Sequence, residues 1–196
     1  MPGSGKSSSV NRLAAQGVRV IGEYTGGRGT VVPVAAHPAI GDDDAHLQNY
    51  LRKDRLATAV PGLVYLDRDW LSVLAYAHSI GDTGLLATRS DWVWAHLRAG
   101  DLAVADVYVV LHCAVETSLA RRADRLRPGH PWHRPAALRA LAVFYRDPAA
   151  CIAPVHPGVA AALTRARWHH LHDPTFEQAA RMLTELFHAA GSVAVR

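Results

Sequence analysis

The chain has 196 residues, a formal net charge of +4 and a pI of about 9.4. Its apolar fraction of 49% suffices for a hydrophobic core, and its length suits a single domain (1–196), with or without a lid. The sequence holds neither an apolar run long enough for a membrane span nor a signal-peptide pattern, and its two cysteines are too few for a disulfide framework. We therefore expect a cytoplasmic protein without a membrane partner.

The positive charge comes mostly from scattered arginines, without blocks of basic and aromatic residues. This distribution makes a nucleic-acid partner unlikely and favours a basic pocket for a small anion. The densest histidine group is His169, His170 and His172 in a predicted strand. We expect His170 to point away from the other two, which argues against a metal site there.

Short apolar runs alternate with stretches of helical periodicity along the chain. The predicted strands are 18–24, 63–66, 106–112 and 167–171. The predicted helices are 8–16, 42–60, 69–79, 90–98 with Ser90 as its cap, 116–125, 135–146, 159–165 and 175–190. Such alternation predicts an α/β fold in which helices cover both faces of a parallel sheet.

The first residues match the second half of a P-loop, the phosphate-binding pattern that ends in Gly-Lys-Ser/Thr. Lysine occurs only at Lys6 and Lys53, against nineteen arginines, so its presence at the P-loop position favours phosphate binding over a flexible start. We expect Lys6 to reach the β- and γ-phosphates of ATP and Ser7 to hold Mg²⁺. The predicted nucleotide-binding residues are Gly3, Ser4, Gly5, Lys6, Ser7 and Ser8.

A P-loop usually follows a buried strand, and no apolar run precedes this one. We therefore expect a P-loop fold that lacks its first strand, because of a late start site or because the chain is a fragment.

Acidic side chains lie at the ends of two of the predicted strands, Glu23 at the end of the first and Asp67 directly after the second. Parallel sheets bind ligands at the carboxyl ends of their strands. Glu23, Asp67 and the P-loop should therefore lie close together.

Three segments, taken in order with the P-loop, carry a resemblance to the P-loop kinases of the thymidylate kinase and deoxynucleoside kinase group. The run from Asp67 to Ser72 (DRDWLS), followed by Leu74-Ala75-Tyr76, resembles the Asp-Arg-Tyr…Ser…Ala-Tyr run of thymidylate kinases. Glu23 is similar to the glutamate that serves deoxynucleoside kinases as a base. The arginines of segment 121–134 resemble the lid of both groups.

The resemblance implies ATP- and Mg²⁺-dependent phosphoryl transfer. Asp67 is implied to place Mg²⁺ with Ser7, and Arg68 to bind an acceptor oxygen or the P-loop. The implied transfer residues are Lys6, Glu23, Asp67, Arg68, Arg121 and Arg125. The helix of Gln48 and Tyr50 lines the acceptor site in the resembled families, and helices beside the Asp-Arg strand form homodimers in many of them.

The acceptor itself stays open. Asp69 stands where thymidylate kinases have tyrosine, and the loop 26–41 matches neither family. A nucleoside or nucleoside monophosphate is the first expectation. Another hydroxylated metabolite, such as an antibiotic, is an alternative acceptor, and a nucleotide-binding module without turnover is an alternative class of protein.

Overall fold

We analysed a computed structural model that describes residues 3–26, 31–33, 36–39, 42–121 and 129–193. Its strands are β1 (Val20–Ile21), β2 (Tyr65–Leu66), β3 (Val107–His112) and β4 (Arg167–His172). Its α-helices are α1 (Lys6–Ala15), α2 (Asp43–Thr58), α3 (Leu71–Ile80), α4 (Thr83–Ala99), α5 (Val115–Ala120), α6 (Pro135–Arg146), α7 (Pro148–Ile152), α8 (Pro157–Leu163) and α9 (Phe176–Val193). No helix in these ranges is long and apolar enough to cross a membrane.

The chain divides into two compact units. The central unit comprises Met1–Ser4 and Trp70–Asp173, and the amino-terminal unit comprises Gly5–Asp69 and Pro174–Arg196. The prediction of a single domain stays a prediction.

Each unit contains one pair of parallel strands. In the amino-terminal unit, β1 pairs with β2 so that Ile21 lies opposite Leu66, and Asp67 donates its backbone N–H to the Ile21 carbonyl at 2.9 Å. In the central unit, β3 pairs with β4 from Val107 opposite Arg167 to His112 opposite His172. The predicted α/β class with parallel strands is confirmed.

The cores follow from the apolar faces of the helices in each unit. In the amino-terminal unit, α1 packs on α9 and β1, with Leu13 and Leu183 buried. In the central unit, α3 packs on α4 and α6, and Trp70 and Phe144 are completely buried. The Trp70 indole N–H donates to the Ala103 carbonyl at 2.8 Å, which satisfies the polar atom of this ring.

The prediction that Ser90 caps a helix is wrong. Helix α4 begins at Thr83, seven residues earlier, and Ser90 is buried within it. The cap is Asp82, whose carboxylate accepts from the Leu85 N–H at 2.8 Å. Asp is as good an N-cap as Ser, so residue type alone does not decide between Asp82 and Ser90.

The prediction for the histidines is also wrong. Residues two apart share one face of a strand, so His170 and His172 point the same way. The His112 ring stacks on both, with centroid distances of 5.2 Å and 4.6 Å. Within the described residues, no group of histidine, cysteine and acidic side chains could hold a metal ion.

Candidate functional site

Parallel pairing of β1 and β2 brings together the residues that follow them. Glu23 follows β1, and Asp67 and Arg68 follow β2. The Arg68 Nε atom lies 2.7 Å from Glu23 Oε1, so the two side chains form an ion pair across the strand ends. Their side chains retain 19% and 28% of their exposure, which leaves the pair within reach of a ligand. We call Lys6, Glu23, Asp67 and Arg68 the strand-end site.

Lys6 completes the strand-end site from the first turn of α1. Its Nζ atom lies 3.4 Å from Asp67 Oδ1, and the Asp67 side chain is 6% exposed. Burial alone would raise the pKa of Asp67, but the charges of Lys6, Arg68 and Lys53 hold it below its usual value. Burial and the neighbouring Arg68 lower the pKa of Lys6. The predicted convergence of Lys6, Glu23 and Asp67 therefore occurs within the amino-terminal unit.

The turn before α1 has the backbone that a phosphate-binding loop requires. Gly3 and Gly5 have φ angles of 73° and 87°, in the left-handed region that favours glycine. Gly5 is the N-cap of α1 and supplies no side-chain cap, so the first backbone N–H groups of the helix can bind an anion. The residues present thus fit a nucleotide phosphate.

Three serines, Ser4, Ser7 and Ser8, are the remaining predicted nucleotide contacts. Ser4 is buried and Ser8 is exposed. Ser7 lies in the first turn of α1, but its side chain is outside the described part. Asp67 is a suitable ligand for Mg²⁺, because this ion prefers carboxylate oxygens.

Lys53 was not among the predicted site residues, yet it lies against the strand-end site. It is completely buried on α2. Its ammonium donates to the carbonyl oxygens of Asp67 and Arg68, both at 2.6 Å, and to that of Glu23 at 3.4 Å. Burial lowers the pKa of Lys53 to about 8, against the raising effect of the nearby carboxylates. The signal that could have found it was its rarity, since it is the second of two lysines.

Two further polar residues of α2 hold the backbone that follows β1. Asn49 is completely buried, donates to the Glu23 carbonyl at 3.0 Å and accepts from the Thr25 N–H at 3.1 Å. Arg52 Nε donates to the Thr25 carbonyl at 2.7 Å. These bonds occupy backbone groups that a strand would use, which explains why β1 ends at Ile21 and not at the predicted residue 24.

Arg68 has an unusual backbone. Its φ angle is 67°, and non-glycine residues enter this left-handed region at a cost. The Lys53 ammonium binds the carbonyl of this same residue. The conformation that directs the Arg68 guanidinium to Glu23 is thus held by a specific contact.

The other predicted residues are placed as follows. Tyr50 is buried on α2, with its ring centroid 5.8 Å from Lys53 Nζ, and Gln48 is exposed two positions earlier. In the central unit, Arg121 Nη1 donates to the Gly3 carbonyl at 3.0 Å, so one arginine of the predicted lid contacts the P-loop turn. Arg125 and the rest of segment 122–128, half of the predicted lid, lie outside the described residues. The predicted roles of these side chains stay predictions.

The described residues thus contain two parallel strand pairs, a glycine turn that opens α1, and charged side chains that follow β1 and β2. Solved structures of a deoxyadenosine kinase from M. mycoides are similar to the chain. The complex with dATP has a TM-score of 0.63 at 12% identity and covers 96% of both chains. The complex with dCTP has a TM-score of 0.61 at 11% identity, again over 96% of both chains.

A third structure of this kinase, with the products dCMP and dCDP, has a TM-score of 0.59 at 12% identity and covers 96% of this chain and 95% of that one. No protein-family profile and no curated protein sequence matches the chain. The predicted resemblance to deoxynucleoside kinases is therefore confirmed at the level of the fold.

Proposed function

We propose that the protein is a kinase that transfers the γ-phosphoryl group of ATP to a hydroxyl group of a nucleoside. The observation that carries this proposal is the ion pair of Glu23 and Arg68, beside the contact of Lys6 with Asp67. Phosphoryl transfer needs alignment and charge stabilisation more than covalent chemistry. The similar deoxyadenosine kinase structures, which contain nucleotides, support the same reaction class.

Each residue of the strand-end site has a role in this reaction. The acceptor hydroxyl oxygen attacks the γ-phosphorus, the bond to the bridging β–γ oxygen breaks, and ADP leaves. Glu23 takes the hydroxyl proton, and Arg68 orients Glu23 through one carboxylate oxygen. Lys6 and the first N–H groups of α1 bind the donor phosphates. Mg²⁺ held by Asp67 would neutralise phosphate charge.

The pairing of charges favours a neutral hydroxyl over a monophosphate as the acceptor. A monophosphate brings about two negative charges and needs cations that are available to bind it. The Arg68 guanidinium is already bound to Glu23, and Lys6 lies beside Asp67. We therefore place a nucleoside first and a nucleoside monophosphate second. A hydroxylated antibiotic would use the same Glu23 chemistry.

The test is mass-detected phosphoryl transfer from ATP and Mg²⁺ to panels of nucleosides, nucleoside monophosphates and hydroxylated antibiotics. We expect a gain of one phosphoryl group on a nucleoside. Lys6→Ala should abolish transfer while the circular dichroism spectrum stays the same. ATP binding without transfer to any panel would favour a non-catalytic nucleotide-binding module, and full turnover by Lys6→Ala would refute the kinase assignment.

A further inference from the structure

Lys53 joins two separate segments of the chain through a single atom. Its Nζ donates to the carbonyls of Asp67 and Arg68, which follow β2, and to the carbonyl of Glu23, which follows β1. The same two segments carry the side chains of the Glu23–Arg68 ion pair. Because these hydrogen bonds are to backbone carbonyls, they fix the position of the backbone from which the Glu23 and Arg68 side chains extend.

The ammonium of Lys53 is completely buried, which has a free-energy cost that an apolar side chain would not have. Moving a charged group out of water is costly unless it is paired and hydrogen-bonded. An ammonium has three N–H donors, and here three carbonyl oxygens accept from it. The carboxylates of Glu23, Asp67 and Asp69 favour its charge, Arg68 opposes it, and the Tyr50 ring lies beside it. A methionine would fill the same volume without these requirements, so the bonds themselves indicate the purpose.

We propose that Lys53 is a positioning residue for phosphoryl transfer, whose ammonium joins the ends of β1 and β2 so that Glu23 and Arg68 meet in the geometry of the reaction. This inference rests on the proposed kinase function. Lys53 acts through Glu23 and Arg68 and not by contact with the donor or the acceptor.

The first test does not depend on activity. In protein labelled with ¹⁵N at the lysine ζ-nitrogen, only Lys6 and Lys53 give signals, and Lys6→Met assigns them. We expect the ammonium protons of Lys53 to exchange slowly with solvent, because the group is completely buried and hydrogen-bonded to three carbonyls. Exchange as fast as that of an exposed ammonium would overturn the inference, because it would mean that the ammonium is not held in the buried site.

The second test compares Lys53→Met with Arg55→Met, a matched change at an exposed position of the same helix. We expect kcat of Lys53→Met to fall about 10- to 100-fold, as displacement of aligned groups by about an ångström does. The Kd of ATP should change less than threefold, and Arg55→Met should stay within twofold of the wild type. A Lys53→Met protein that retains kcat within twofold would overturn the inference.

A second variant, Lys53→Arg, provides a readout if Lys53→Met does not fold. It keeps the positive charge, but its planar guanidinium presents donors in a fixed fork and cannot reproduce the three bonds of the ammonium, so kcat should again fall at least about 10-fold. A Lys53→Arg protein with kcat within twofold of the wild type would overturn the positioning role alone. Absence of transfer by the wild type would instead overturn the proposed function, so the two failures are distinguishable.

Discussion

Burial of Lys53 predicts a specific pH dependence of stability. The pKa of this lysine falls from 10.5 to about 8 in the folded protein, mainly through burial. Each pKa unit corresponds to about 1.4 kcal/mol, so the full difference is about 3 kcal/mol. Because Lys53 is completely buried, solvent screening reduces this value little.

The sign of this pH dependence follows from the number of protons that the unfolded and folded states bind. Below pH 8, Lys53 is charged in both states and contributes no pH dependence. Between pH 8 and 10.5 the unfolded chain binds the proton and the folded protein releases it, so this term raises the free energy of unfolding as the pH rises. Over the range from pH 7.5 to 10, the stability of the wild type should therefore rise by about 2 to 3 kcal/mol relative to Lys53→Met.

Urea denaturation of both proteins at pH 7.5, 9 and 10 measures this difference. Lys6 also has a lowered pKa, and Tyr24 and Tyr65 have pKa values raised to about 12, but these groups are present in both proteins and largely cancel. A difference in stability between the two proteins that stays constant within about 0.5 kcal/mol from pH 7.5 to 10 would refute the reasoning, since it corresponds to a pKa change too small for a buried ammonium.

Three substitutions test other parts of the protein. Glu23→Gln keeps the shape of the side chain but cannot take a proton, so transfer to a nucleoside should fall at least about 100-fold while ATP affinity is unchanged; a smaller loss would remove Glu23 from the role of base. Asp67→Asn should lower kcat by a similar factor and raise the Mg²⁺ concentration needed for half-maximal rate; an unchanged Mg²⁺ dependence would argue against metal binding there. Asp82→Ala removes the N-cap of α4 and should cost about 1 kcal/mol, a fall in Tm of a few degrees, without loss of turnover; an unchanged Tm would contradict the assigned cap.

The sequence was most informative where a general rule connects distant segments. Glu23 and Asp67 are more than forty residues apart, yet their convergence was predictable because each follows an apolar run, and parallel strands end at a common edge. Pairing of β1 with β2 is the physical basis of that result. The class of fold and three residues of the strand-end site could be found in this way.

Contacts between a helix and the backbone of a neighbouring segment leave a weaker trace in the sequence. The periodicity of α2 indicates its buried positions, but those positions include Asn49 and Lys53 as well as Tyr50 and Leu51. Asn49 and Lys53 bond to backbone carbonyl and N–H groups, which nearly every residue type carries, so no partner side chain marks these contacts in the sequence. The start of α4 was misplaced for a related reason, because two good capping residues compete within eight positions and only packing decides between them.

Both lysines of the chain lie at the strand-end site. Arginine outnumbers lysine nineteen to two, and both lysines lie at the strand-end site, Lys6 beside Asp67 and Lys53 beneath the Asp67 and Arg68 carbonyls. At both positions the chemistry requires a compact cation. A guanidinium is planar and presents its donors in a fixed fork, whereas an ammonium directs three donors to carbonyls on different segments. Lys53→Arg should therefore fail to restore the turnover lost in Lys53→Met, although it restores the charge. If arginine proved equivalent at this position, charge alone would account for Lys53, and the geometric role assigned to its three hydrogen bonds would be wrong.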